Sequence, residues 1–197
     1  MPICEKLLRL LERPKMVLIE GGAGVGKTRL ALELLRELCT SSCMYAAPRY
    51  FDVIKLSDML GLDASKITLY KVFDPTDFID IITMEKVIMY DVIVVDQIEY
   101  VAAEDSTNEA WTLVLLLVSA LKFLSERYGV YTVIVSGKGV FRGLGALANI
   151  VKTWCDMVIE MGKYNSHYQL TVYSPKDSTV LLKSRYLIRR GIEWLDC

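Results

Sequence analysis

The sequence holds a single histidine, His167, and only five side-chain amides (Gln97, Gln169, Asn108, Asn149 and Asn165) in 197 residues. It has no apolar run long enough for a membrane span. The most apolar stretch, Trp111 to Leu124, is broken by Thr112, Ser119 and Lys122 and falls short of the ~20 residues a span needs. It has no excess of either charge: 23 Lys and Arg against 24 Asp and Glu leave a net charge of −1. That balance excludes a histone-like basic chain or an acidic tail as a description of the whole. No basic start followed by an apolar run and a small-residue cleavage site opens the chain, so a cytoplasmic protein is expected. The shortage of amides fits a thermophile. The shortage of histidine bears on the five cysteines, Cys4, Cys39, Cys43, Cys155 and Cys197. Cys39 and Cys43 have a spacing that suits a disulfide or half of a metal site, but no second pair follows and one histidine cannot complete it. In a reducing cytosol all five are expected to act as small hydrophobes.

What is present is a core. Hydrophobic residues make up 53% of the chain, enough to bury one sizeable domain, and the length predicts a single one over 1–197. Apolar positions at helical spacing predict helices over Glu5–Leu11 and Lys27–Leu38. Continuous apolar runs at Met16–Ile19 and Val92–Val95 predict strands buried on both faces. Further strands are expected near Met44–Ala47, Ile67–Phe73 and Tyr131–Val135. Helices are expected over Phe51–Leu60, from the Asp74-Pro-Thr-Asp77 cap cluster to about Lys86, and over Glu109–Arg127. The pattern then changes. Met157–Met161, Tyr168–Tyr173 and Val180–Arg185 read as strands joined by turns at 162–165 and 174–177, a meander over 156–197. The fold class predicted is α/β, a mostly parallel doubly wound sheet with helices on both faces and a C-terminal antiparallel meander.

Gly21-Gly22-Ala23-Gly24-Val25-Gly26-Lys27-Thr28 matches G-x-x-x-x-G-K-[ST] in full, between a buried strand and an amphipathic helix. The glycines let backbone N–H groups wrap a phosphate, and the helix N-terminus adds its positive end. Lys27 suits the β- and γ-phosphates and the Thr28 hydroxyl suits Mg²⁺, with Arg29 next in the same turn. Asp96 ends the strand Val92–Val95, where such a loop needs an acid for the Mg²⁺ hydration shell. ATP and Mg²⁺ are the cofactors this pattern predicts.

Beyond these motifs the chain resembles the ATPase core of the RecA/RadA recombinases, most closely the short archaeal RadA paralogues. The resemblance runs from Val17 to the C-terminus. It is carried by Met44-Tyr-Ala-Ala47, Leu60-Gly-Leu-Asp63, Asp96 with a polar loop and a long helix ending Glu126-Arg-Tyr-Gly129, Val133–Ser136, and Ile188-Arg-Arg-Gly-Ile-Glu193. It implies a RecA-like P-loop NTPase that binds ATP, with a role accessory to homologous recombination and DNA repair. It also implies a RadA-type recombinase or another paralogue as partner, and single-stranded DNA as a target. Three departures qualify this. The recombinases place a water-orienting glutamate just after the second strand; here that place reads Ala47-Pro48-Arg49-Tyr50. Asp52 and Glu99 are the nearest acids in sequence, neither at the matching place, so weak hydrolysis or none is expected. The polar amide that senses the γ-phosphate is replaced by Ser136-Gly137-Lys138, where Lys138 is either a phosphate-reaching cation or a solvated lysine. Only some 15 residues precede the first core strand, so filament formation by this chain alone is not expected.

Charge is unevenly spread. Residues 96–109 hold five acids and no base, which repels phosphate. Residues 137–155 hold Lys138, Arg142 and Lys152 without an acid, and Phe141 adds a stacking ring. This is either a single-strand-binding loop, a mobile active-site loop or a partner contact. Lys183, Arg185, Arg189 and Arg190 are either a solvated face or a further patch. The long helix is apolar on more than one stripe, which means deep packing or a docking face. Two other functions fit the motifs: a regulatory P-loop ATPase without DNA, and an ATP-gated protein-interaction scaffold.

Overall fold

The structure, a computed structural model, describes residues 3–12, 15–48, 61, 64–74, 76–102, 108–137, 151–165, 167–189 and 191–197. Its elements are α1 (Glu5–Leu11), β1 (Met16–Gly21), α2 (Lys27–Leu38), β2 (Cys43–Ala47), β3 (Ile67–Lys71), α3 (Asp77–Thr83), β4 (Val92–Asp96), α4 (Asn108–Tyr128), β5 (Tyr131–Gly137), β6 (Met157–Tyr164), β7 (His167–Tyr173), β8 (Val180–Ile188) and β9 (Ile192–Trp194). The expected helix over Phe51–Leu60 lies outside the described residues.

The nine strands form one sheet in the order β3-β2-β4-β5-β1-β6-β7-β8-β9. Strands β3 through β6 in that order are parallel, and β7, β8 and β9 follow antiparallel. The meander read from the sequence is therefore present, but its first strand also joins the parallel half, Val17 pairing with Met157 and Gly21 with Met161. The continuous apolar runs are explained by packing on both faces. Val17 and Ile19 point to the side covered by α1 and α2, while Met16 and Leu18 point to the side covered by α3 and α4. Leu30, Leu34 and Leu35 of α2 are fully buried, each contributing roughly 1.5–3 kcal/mol.

The cap cluster acts as expected, though more briefly. Asp77 accepts from the backbone N–H groups of Phe73 and Asp74, and Asp74 accepts from Thr76. The α-helix ends at Thr83, and a 3-10 turn over Glu85–Met89 follows. α4 packs deep in the core along one side and exposes apolar residues along another. Val114, Leu117, Val118, Leu121 and Leu124 are buried, while Leu116 and Phe123 are 49% and 58% exposed. Met84, Ile88 and Met89 with Phe123 and Tyr128 line an apolar groove of about 810 Å³ on that face. No helix among the described residues is long and apolar enough to cross a membrane.

The cysteines depart from expectation. Four of the five are paired: Cys4 with Cys197 at a Cα–Cα distance of 5.6 Å, and Cys39 with Cys43 at 5.9 Å, both within disulfide reach. Cys155 is free and buried. The first bridge joins the two ends of the chain, a pairing no spacing rule reveals because it depends on where α1 and the meander meet. The second closes the α2–β2 turn over Asp91. That carboxylate accepts from the N–H groups of Thr40, Ser41 and Ser42 and from two hydroxyls. Its burial opposes ionisation, but these bonds outweigh it and hold the carboxyl down to about 2.

Candidate functional site

The sheet order sets the tips of β1, β5 and β4 side by side. The loop leaving β1 turns into α2 at Gly26, whose φ of 91° is left-handed and open to glycine at little cost. A side chain at Gly26 would also press on Ile188 of β8, and one at Gly21 would strike the backbone of Met161 on β6. The meander thus sets the shape of the loop. Tyr186 on β8, fully buried, donates its hydroxyl to the Val25 carbonyl at 2.7 Å, fixing the loop from behind. Gly22, Ala23 and Gly24 stay open on the outer side, and nothing approaches a side chain built at Gly22 or Gly24. The first intrahelical bond of α2 runs from Leu30 N–H to the Gly26 carbonyl, so the N–H groups before it lack intrahelical partners, which suits a phosphate.

Lys27 reaches back to the Gly22 carbonyl at 2.8 Å. Burial pulls its ammonium below the usual lysine value, and the carboxylates of Glu99 and Asp96 oppose that pull. Thr28 donates to Asp96 Oδ2 at 2.8 Å, and Tyr45 of β2 donates to the same oxygen at 2.6 Å. Asp96 is completely buried, and its Oδ1 has no hydrogen-bond partner among the described residues. Burial raises its pKa, held back by the two hydroxyls and Lys27. A buried carboxylate oxygen left without a donor costs on the order of 1–3 kcal/mol or more, so the site is built to receive a positive group there. The donors are all hard oxygens, and they fit Mg²⁺. Thr28 and Asp96 would hold it, directly or through its waters, and when bound it would neutralise charge on the phosphates.

Glu99 joins this group, although sequence comparison set it aside as misplaced. Gln97, the residue after Asp96, adopts φ 63°, and the chain turns into a 3-10 turn over Ile98–Ala102. This brings Glu99 back to the tip of β5, where its Oε1 accepts from Gly137 N at 2.9 Å. Its Oε2 is buried without a partner among the described residues. Burial raises its pKa, and the Gly137 bond and Lys27 lower it. Tyr45 and Tyr186 were also missed as site residues. The available signal was a phenol in each of two otherwise apolar or alternating strands, which needs a partner when buried.

The structure also relocates some predicted residues. Arg29 does not face the cradle alone: its Nε lies 3.0 Å from Glu33, whose carboxylate accepts from Ile192 N, so it ties α2 to the β8–β9 hairpin. Lys152 forms an ion pair with the buried Glu20 at 2.7 Å, so this cation of the expected DNA loop is engaged within the chain. Lys138, Phe141 and Arg142 lie outside the described residues, as do Arg49, Tyr50, Asp52 and Arg190. Arg185 and Arg189 pair with Asp196 and Glu193, which favours a solvated face for them.

A glycine-rich loop at the tip of a central parallel strand, with a hydroxyl-bound acid ending the strand two places away, defines a P-loop NTPase fold with a RecA/RadA-like core. Solved structures agree. The chain aligns over its whole length with 99% of the crystal structure of the RadB recombinase at TM-score 0.75 and 16% identity. It aligns over 93% of its length with 91% of a KaiC-like protein from the hyperthermophilic archaeon Pyrococcus horikoshii OT3, at TM-score 0.66 and 18% identity. The flagellar accessory protein FlaH from Methanocaldococcus jannaschii matches over 93% of this chain and 90% of its own, at TM-score 0.62 and 12% identity. No protein-family model matches the chain, and no curated protein matches it in sequence.

Proposed function

We propose that this chain is a cytoplasmic ATP-binding protein accessory to homologous recombination and DNA repair. In this reading ATP and Mg²⁺ occupy the Gly21–Thr28 cradle, and the bound state modulates a RadA-type recombinase, or another paralogue, on single-stranded DNA. The observation that carries it is the complete cradle with the orphaned Asp96 Oδ1 beside Thr28, on a fold that follows the RadB recombinase from end to end. The apolar groove beside α4 supports a protein partner, since exposed Phe123, Met84, Met89 and Ile88 line it together. The Ala47-Pro48 tip of β2 carries no carboxylate, which supports slow hydrolysis. DNA contact through 137–155 rests on Lys138, Phe141 and Arg142, because Lys152 is held by Glu20.

That ion pair favours a second reading, a regulatory ATPase without DNA, which is also supported by the likeness to a KaiC-like protein and a flagellar accessory protein. ATP binding and hydrolysis measured with and without single-stranded DNA, beside a pull-down on a RadA-type recombinase, separates the two. Recombinase capture with altered strand exchange supports the first. Turnover indifferent to DNA, with no capture, supports the second.

A further inference from the structure

The sequence leaves this site without an acid after β2, and the structure supplies one from another direction. Glu99 reaches the tip of β5 from the turn after β4, where Gly137 N–H fixes one of its oxygens and leaves the other buried and without a partner among the described residues. Asp96 cannot serve in its place. The Oδ2 of Asp96 already accepts from both Thr28 and Tyr45, and its Oδ1, without a hydrogen-bond partner among the described residues, is the oxygen that suits the metal. Glu99 instead stands within charge range of Lys27, the group that would grip the β- and γ-phosphates. The left-handed Gln97, a conformation costly for a non-glycine residue, is what turns the chain so that Glu99 reaches the tip of β5. A carboxylate fixed at one oxygen near Lys27, with its other oxygen buried and without a partner among the described residues, is suited to hold a water.

We propose that Glu99 is the water-positioning acid of this site, resting on the reading of the cradle as an ATP site. The water oxygen bonds to the γ-phosphorus as the bond from that phosphorus to the bridging oxygen breaks. The water's proton passes to the Glu99 carboxylate, and the bridging oxygen leaves on ADP. The free acid oxygen is thus the catalytic atom, and the Gly137 N–H is what orients it.

The test compares wild type, Glu99→Gln and Glu99→Asp in single-turnover hydrolysis of ATP–Mg²⁺, alongside affinity for a fluorescent ATP analogue. Glu99→Gln is expected to slow turnover by about 100-fold or more. Its affinity for the analogue stays within about threefold of wild type, and its melting temperature is retained. Protein incubated with ATP for a few wild-type turnovers and desalted carries ADP in wild type and ATP in Glu99→Gln, a direct chemical readout of the same step. Glu99→Asp, with a shortened reach, keeps the base and recovers part of the rate. Equal turnover in wild type and Glu99→Gln, or tight ATP binding with no turnover in wild type, overturns the assignment of Glu99 alone. No ATP binding by wild type overturns the nucleotide reading beneath it.

Discussion

In the parallel half of the sheet, the buried acids come at strand ends: Glu20 next to last in β1 and Asp96 last in β4. In the antiparallel β7–β9, polar and half-buried positions run the length of each strand, and two of their bonds cross to the other half. Tyr186 holds the Val25 carbonyl across 161 residues, and Ile192 N bonds Glu33 across 159. The parallel half carries the chemistry, and the meander holds it in shape. A phosphate loop is written in eight adjacent residues, whereas its support is written in residues far apart.

Each of the following expected outcomes breaks or sharpens that division. The largest is on the meander side. Reducing the Cys4–Cys197 bridge releases a loop of 193 residues, for which chain entropy gives about 5 kcal/mol. Denaturant unfolding with and without reductant should show a loss of roughly 2–5 kcal/mol, and non-reducing gels a compact, faster-running band. Next comes Tyr186→Phe, which removes the donor to the Val25 carbonyl and leaves that acceptor buried. Stability should fall by about 1–2 kcal/mol and ATP should bind several-fold more weakly, measured by melting and titration. If ATP affinity stays unchanged, the meander does not shape the loop.

The smallest effect is pH-dependent. Asp91 holds the Thr40–Ser42 turn with its carboxyl depressed to about 2, below the ordinary value of 3.8. A depressed acid stabilises the fold above its unfolded pKa and loses that contribution as pH falls through the folded one. Wild type should therefore exceed Asp91→Asn in stability above about pH 4, and the gap should close near pH 2. A gap constant through that range removes Asp91 from the account.

Much of the fold was legible because period and burial coincide. The runs at Met16–Ile19 and Val92–Val95 are apolar throughout because both sheet faces are covered. Lys27, Thr28 and Asp96 were legible because their chemistry is local. Glu99 was not, because its place depends on the positive φ of Gln97, which composition does not announce. The cysteine pairs depend on which ends meet in space, and Lys152 on an ion pair with Glu20 formed 132 positions away. β9 was too short to read as a strand at all, yet it completes the hairpin that ties the meander to α2.

The central claim is that the Gly21–Thr28 cradle and Asp96 bind ATP with Mg²⁺. It is tested most directly by calorimetric titration of ATP, with and without Mg²⁺, into wild type, Lys27→Ala and Asp96→Asn. Wild type should bind ATP more tightly with Mg²⁺ than without it. Lys27→Ala should lose tight binding, by about 100-fold or more, and Asp96→Asn should lose most of the Mg²⁺ dependence. Equal ATP affinity in wild type and Lys27→Ala would contradict the account.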